Sequence, residues 1–244
     1  MPSSAAPRPG RTLALIPAKA GSTRLPGKNL LPIAGRPMLE WAIRSAREAG
    51  LFERIAVSTE DAQTARAAES LGIEVPFLRP EALARDPAGV VDVALHSLDE
   101  WERRGERFDT LAILLPTSPF RTADDIRGAM RRFVDSGADF LMSVAREQHS
   151  PLSSLIIENG LLRPLHPEWL HRTGAKATEK TPVLVRANGA VTLLTVERFR
   201  AEREYYAYPL AAYEMPWERS IDIDTPADLA FAEHVARNIL KLEG

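Results

Sequence analysis

Residues 12 to 17, TLALIP, form a short apolar run that breaks at once into AKAGSTRLPGKNL, a stretch of small residues, glycines, a proline and three cations. Such a run, too short for a helix and bounded by glycine and proline, reads as a buried strand from Leu13 to Ile16. It delivers a positively charged loop to the edge of a sheet. Glycine and small side chains let backbone N–H groups approach oxyanions, and lysine and arginine supply charge, so the loop is an anion site in waiting.

Composition narrows the partner. The chain has 244 residues, 45% of them hydrophobic and 26% charged, which fits one α/β domain with an elaboration. A net charge of −2 argues against a broad nucleic-acid-binding face, so the partner of the cationic loop should be a small anion. The absence of cysteine removes thiol catalysis and thiolate zinc sites. The opening MPSSAAPRPG has no apolar core and reads as a disordered leader. No later window is apolar for long enough to span a membrane, and a cytoplasmic location is expected.

Further along, PMLEWAIRSAREA (37–49) has helical spacing and Gly50 as its stop, RIAVS (54–58) reads as a strand, and DAQTARAAESL (61–71) as a helix. IEVPFL (73–78) reads as another strand, giving a βαβαβ run and a parallel sheet with right-handed crossovers. A helix from Val90 to Arg104 and a strand TLAILL (110–115) follow, then PTSPFR and a helix opened by Thr122 with Asp125 in a capping box. DFLMSV (139–144) continues the sheet. Regularity then fails from Ala145 to Val185, where Asn159-Gly160 marks a hairpin between SSLII and LLRPL. Strands at 189–196 and 206–212, a helix near 197–203 and a final helix capped at Thr225-Pro226 and running to about Lys241 complete the pattern. The expected organisation is a leader (1–11), a nucleotide-binding core (12–144), an inserted arm (145–185) and a C-terminal part of the core (186–244).

Gly21 to Asn29 is one residue too long for a P-loop, and Asn29 stands where that motif needs a hydroxyl for magnesium. Gly21, Arg24 and Lys28 instead fill the places of the loop in nucleotidyltransferases that join a nucleotide to a sugar. IPAKAGSTRLPGKNL, RPEALARD, LPTSPFRT, VRANGA and SIDIDTPADL follow one another in the order seen in the acylneuraminate cytidylyltransferase family, which the chain resembles from about residue 12 to 240. The resemblance implies a Rossmann-like nucleotidyltransferase fold with a mostly parallel central sheet, and a homodimer built by the inserted arm. It also implies the reaction of CTP with an acidic 2-keto-3-deoxy sugar, of the nonulosonic or sialic type, to give CMP-sugar and pyrophosphate.

The resemblance implies the roles of individual residues, and their chemistry suits them. Lys19, Arg24 and Lys28, with Gly21, Ser22 and Asn29, would hold the triphosphate, and Arg79 the nucleotide side; the bland alternative for Arg79 is a surface ion pair. Asp222 and Asp224 alternate on what reads as a strand, so both face one way as ligands for Mg²⁺, or they are turn and capping carboxylates. Lys28, Arg24 and Asp224 are the catalytic candidates. Thr117, Ser118, Arg121, Arg186 and Asn188 would contact the acceptor, with Arg186 pairing a carboxylate and Arg121 open to a structural role at the helix terminus.

Departures from the family fall mainly on the acceptor and base sides, with one charge-conserving change in the cationic loop. Lys19 replaces an arginine, Leu115 a glutamine, Val90 a hydroxyl residue and Ser153 a lysine. The acceptor therefore stays open between sialic acid, a related nonulosonic acid and another anion such as a phosphonate. Asp222-Ile223-Asp224 also has the D-x-D form of a glycosyltransferase, and a non-catalytic nucleotide-binding homologue is a further alternative. His96, His149, His166, His171 and His234 show no metal-binding spacing, and Trp169 in the arm is a candidate cover for a neighbouring site.

Overall fold

The computed structural model describes residues 10–167 and 182–242. Most of the leader, and Trp169 and His171 of the arm, lie outside the described residues. The first strand, β1 (Thr12–Pro17), is buried on both faces: Leu13 and Leu15 point into one hydrophobic layer, Ala14 and Ile16 into the other. That double burial places it inside the sheet, between β4 (Arg54–Ser58) and β5 (Thr110–Ile113), parallel to both. Two short strands, β2 (Pro32–Ile33) and β3 (Arg36–Pro37), form a separate small hairpin after the opening loop.

The sheet continues through β6 (Phe140–Arg146), β9 (Val185–Thr195) and β10 (Leu210–Glu214) in the order β10-β6-β9-β5-β1-β4. Only β9 runs antiparallel to its neighbours, so the sheet is largely parallel, as the sequence pattern requires. Its pairing with β6 shifts register between Met142 and Val144, and Gly189 opposite takes φ +70°, the left-handed region that glycine tolerates.

Helices cover both faces. Helices α1 (Met38–Ala49), α2 (Ala62–Ser70) and α4 (Ala123–Ser136) close one layer, with Leu39, Ile43, Ala68, Ile126 and Met130 buried against the sheet. Helix α3 (Val90–Arg103) closes the other with Leu95, Leu98 and Trp101, joined by Val196 and Phe199 of α5 (Val196–Glu202). Helix α6 (Pro226–Asn238) packs at one end in a third cluster with Leu25, Ile33, Met38, Phe120 and Ile223. No helix among the described residues is long and apolar enough to cross a membrane.

Three sequence expectations shift. Residues 73–78 form no strand: Ile73 N–H bonds to Ala68 O and Arg79 N–H to Thr59 O, and Pro76 has no N–H for a ladder. The strand expected at 206–212 begins at Leu210, just past Pro209, which likewise cannot donate. Helix α6 ends at Asn238, short of the Lys241 suggested by its pattern. The hairpin forms as read: β7 (Leu155–Glu158) pairs with β8 (Leu161–Pro164), and Asn159 and Gly160 both take positive φ, at 51° and 78°.

Capping at Thr122 also draws in a distant cation. Asp125, 2% exposed on its side chain, accepts from Thr122 N–H and Oγ1–H and from Arg219 Nε and Nη2, each at 2.9 Å. Burial pushes this carboxyl up, but the bonds from Arg219 and Thr122 outweigh it and hold it below the ordinary carboxylate range. A lowered folded pKa means stability that is present above the unfolded value and lost as pH falls through the folded one. Asp125→Asn should therefore cost on the order of 2 kcal/mol at neutral pH, and its deficit should shrink in acid below about pH 4. Urea unfolding at both pH values checks this, and equal stability at pH 7 would contradict the clamp.

Candidate active site

A cavity of about 320 Å³ opens at the carboxyl ends of β1 and β5, where ligands of open α/β sheets bind. Lys19, Lys28, Asn29, Arg79, Asp222 and Asp224 bring charged and polar groups to its wall, and Thr117 adds a hydroxyl.

The opening loop is fixed at its root. Ala18 N–H bonds to Ser58 O at 2.9 Å, Asn29 Nδ2 donates to Lys19 O at 2.8 Å, and Ala20 N–H donates to Glu60 Oε1 at 2.8 Å. Asn29 thus closes the loop on itself. Leu25, 7% exposed, plugs the far side into the cluster shared with Ile223. Gly27, at φ +65°, then turns the chain so that Lys28 enters the cavity. Gly21 and Ser22 do not line it; Ser22 Oγ instead accepts from Leu25 N–H at 3.3 Å and shapes the loop.

Asp222 and Asp224 stand on an irregular segment, not on the expected strand. One backbone bond, Ile223 N–H to Thr117 O at 2.9 Å, and the fully buried Ile223 side chain hold it. With Ile223 turned inward, the carboxylates on either side both reach the cavity, so the same-face geometry arises from an apolar anchor. Asp224 receives Lys28 Nζ at 2.7 Å and Arg24 Nη2 at 2.6 Å. Burial would raise its pKa, but Lys28 and then Arg24 overcome that and lower it. Burial raises Asp222, with the charge of Asp224 adding to the effect and the Thr117 hydroxyl and Lys28 opposing it. Neither is the cap of α6, a place taken by Thr225.

Arg79 is in an ion pair, but a buried one. Its Nε and Nη2 donate to Glu60 Oε2 at 3.0 and 2.7 Å, and its side chain is 2% exposed. Glu60 escaped the sequence reading; its only signal was a carboxylate directly beyond the carboxyl end of β4. Beside Arg79 the wall is made by Leu83, Ala84, Ala88, Gly89, Val90 and Val93.

The expected acceptor residues separate. Thr117 lines the cavity, whereas Ser118 is fully buried and donates from Oγ to Asn188 O at 2.9 Å. Asn188 accepts at Oδ1 from Ser143 Oγ at 2.6 Å and from Ala190 N–H at 3.1 Å, and donates to Ser220 Oγ at 2.8 Å. Arg121, buried, donates from Nη1 to Leu115 O, Ser118 O and Ala190 O at 2.7, 3.2 and 3.0 Å, and burial pushes its pKa down to about 9. Of the two readings of Arg121, these bonds carry the structural one. Arg186 is exposed, 3.8 Å from Glu147, and does not line the cavity. Leu115 does, and a Cβ on Gly189 would lie 3.1 Å from its Cδ1, so the glycine lets β9 close against it.

Comparison with known proteins matches residues 13–214 to the Cytidylyltransferase family. The chain belongs to that family. Over 91% of its length this family member is 32% identical to a CMP-N,N'-diacetyllegionaminic acid synthase of Legionella pneumophila, covering 95% of that protein. It is 23% identical to a pseudaminic acid cytidylyltransferase of Campylobacter jejuni, with 91% and 95% of the two chains covered. Its fold is that of a CMP:2-keto-3-deoxy-manno-octonic acid synthetase solved with CTP, with TM-score 0.66, 17% identity, and 92% and 98% of the two chains covered.

Arg121 gives a check on this division of labour. Arg121→Met should remove the Nη1 donor shared by three carbonyls, lowering stability by roughly 3 kcal/mol in denaturant unfolding. Unchanged stability with lost activity would return Arg121 to the acceptor.

Proposed function

We propose that the protein is a Mg²⁺-dependent cytidylyltransferase that joins CMP from CTP to an acidic 2-keto-3-deoxy sugar of the nonulosonic type. The observation that carries this is the carboxylate of Asp224 held between Lys28 and Arg24 at a cavity also lined by Asp222, Lys19 and Arg79. Cations for a triphosphate and two carboxylates for a divalent metal meet there, on a chain whose relatives are named for CMP transfer to nonulosonic acids.

In the reaction the sugar hydroxyl oxygen attacks the α-phosphorus in line and the bond to the bridging oxygen breaks. Pyrophosphate departs with that electron pair. Lys28 and Arg24 are placed to exchange the Asp224 carboxylate for pyrophosphate oxygens, and Lys19 adds charge on the same wall. Among the described residues lining the cavity none is a dedicated base, and Asp224 is the candidate to assist loss of the hydroxyl proton to water.

The donor set suits magnesium. Among the described residues no three His, Cys, Asp or Glu side chains gather to cage a metal. A pair of carboxylates completed by substrate phosphates is the way Mg²⁺ is commonly held. When bound by Asp222 and Asp224, it would neutralise phosphate charge in the transition state.

The exposed hairpin supports a homodimer. Leu155, Ile157 and Leu162 share one face of the hairpin and are 47%, 74% and 65% exposed. Such an apolar face is suited to burial against a second copy. Light scattering should find a dimer that Leu162→Glu converts to a folded monomer; a monomeric parent would contradict the arm's role. We also place the protein in the cytoplasm, as its use of CTP suggests.

Pyrophosphate release from CTP with Mg²⁺ tests the reaction across a panel of N,N'-diacetyllegionaminic, pseudaminic, N-acetylneuraminic and 2-keto-3-deoxy-octonic acids. Turnover is expected with a nonulosonic acid, N,N'-diacetyllegionaminic acid leading. Lys28→Ala should lower kcat/KM by roughly a hundredfold or more. No release with any acid would sink the proposal.

A further inference from the structure

Glu60 ties together two parts of the cavity that no local sequence element connects. Its Oε1 accepts from Ala20 N–H at the root of the cationic loop, and its Oε2 takes both Nε and Nη2 of Arg79. Arg79 is itself anchored by its backbone N–H on Thr59 O at 2.9 Å, next to Glu60. With Nε and Nη2 engaged, Nη1 is the part of the fork left for the cavity that Arg79 lines. The wall beside it is apolar, formed by Leu83, Ala84, Ala88, Val90 and Val93, and suits the faces of a planar base.

We infer that Glu60 is a positioning residue that sets base selectivity by orienting Arg79 and locking that orientation to the phosphate-side loop. This rests on the cytidylyltransferase reading above. A guanidinium only donates, so it matches the acceptor pair O2 and N3 of cytosine. Uracil presents N3–H at the same place, donor against donor. That discrimination needs an arginine that cannot turn away, and one carboxylate oxygen receiving two of its N–H groups prevents rotation. Because the other oxygen holds Ala20, a base seated on Arg79 and a triphosphate seated in the loop share one fixed frame.

The arrangement requires a carboxylate. Glutamine in its place has one oxygen and one NH₂, so either Ala20 or Arg79 would face a donor. Aspartate keeps the charge but is one methylene short of spanning both partners. Calorimetry of CTP and UTP binding in Mg²⁺, with thermal unfolding alongside, separates selectivity from simple loss of structure. The parent chain should bind CTP at least tenfold more tightly than UTP, and Glu60→Gln should weaken CTP by roughly tenfold while leaving UTP nearly unchanged, collapsing the ratio. Should Glu60→Gln fail to melt cooperatively, Glu60→Asp carries the test, and a reduced CTP to UTP ratio is again expected. A ratio equal to the parent's in a folded variant, whether both affinities fall together or neither does, would overturn the inference. A parent chain that binds neither nucleotide would instead overturn the functional reading, whatever Glu60 does.

Discussion

The site depends on one carboxylate answering two cations from the other end of the chain. Asp224 lies 200 residues from Arg24 and 196 from Lys28, yet bonds to both. Arg24 is 65% exposed and its share of the attraction is screened, whereas Lys28, 13% exposed, is the better shielded partner. What makes the meeting possible is apolar. Leu25 from the loop and Ile223 from between the two aspartates enter the same cluster as Phe120 and Ile33. Their burial brings the cations and the carboxylates to one mouth, so the hydrophobic effect assembles a site whose chemistry is ionic.

Behind the cavity, polar groups do comparable work by bonding segments that are distant in the chain. Arg121 spans the turn after β5 and the start of regular pairing in β9, its Nη1 donating to three carbonyls there. Asn188 links the β6–β9 irregularity through Ser143 to Ser220, two residues before Asp222. The reversed strand is thus coupled to the carboxylate segment. Groups that the resemblance suggested for the acceptor are spent on holding the wall, and the wall they hold presents Leu115.

Much of this was legible from local pattern. β1 and its loop, the capping boxes at Thr122 and Thr225, and the Asn159-Gly160 hairpin rest on interactions within a few residues, which sequence spacing encodes directly. The strand expected at 73–78 failed for a reason of the opposite kind. Alternating apolar residues show only that one side is buried, while a ladder needs a partner and free N–H groups, and here Ala68 and Thr59 take the bonds that flank the segment. Glu60 was invisible for a similar reason: a single carboxylate after a strand has no meaning until Arg79 and Ala20 arrive beside it.

The sequence by itself determined the layer pattern, the cationic loop, the family and the reaction class those motifs imply, because these follow from periodicity, turn chemistry and residue type at short spacing. Tertiary structure decided which polar residues face the cavity and which face the core. Ser118 and Asn188 carry the same functional groups wherever they stand, and only the closure of β9 against β5 and β6 turned them inward. Burial and pairing are properties of neighbours distant in the chain, fixed when the apolar faces meet and not before.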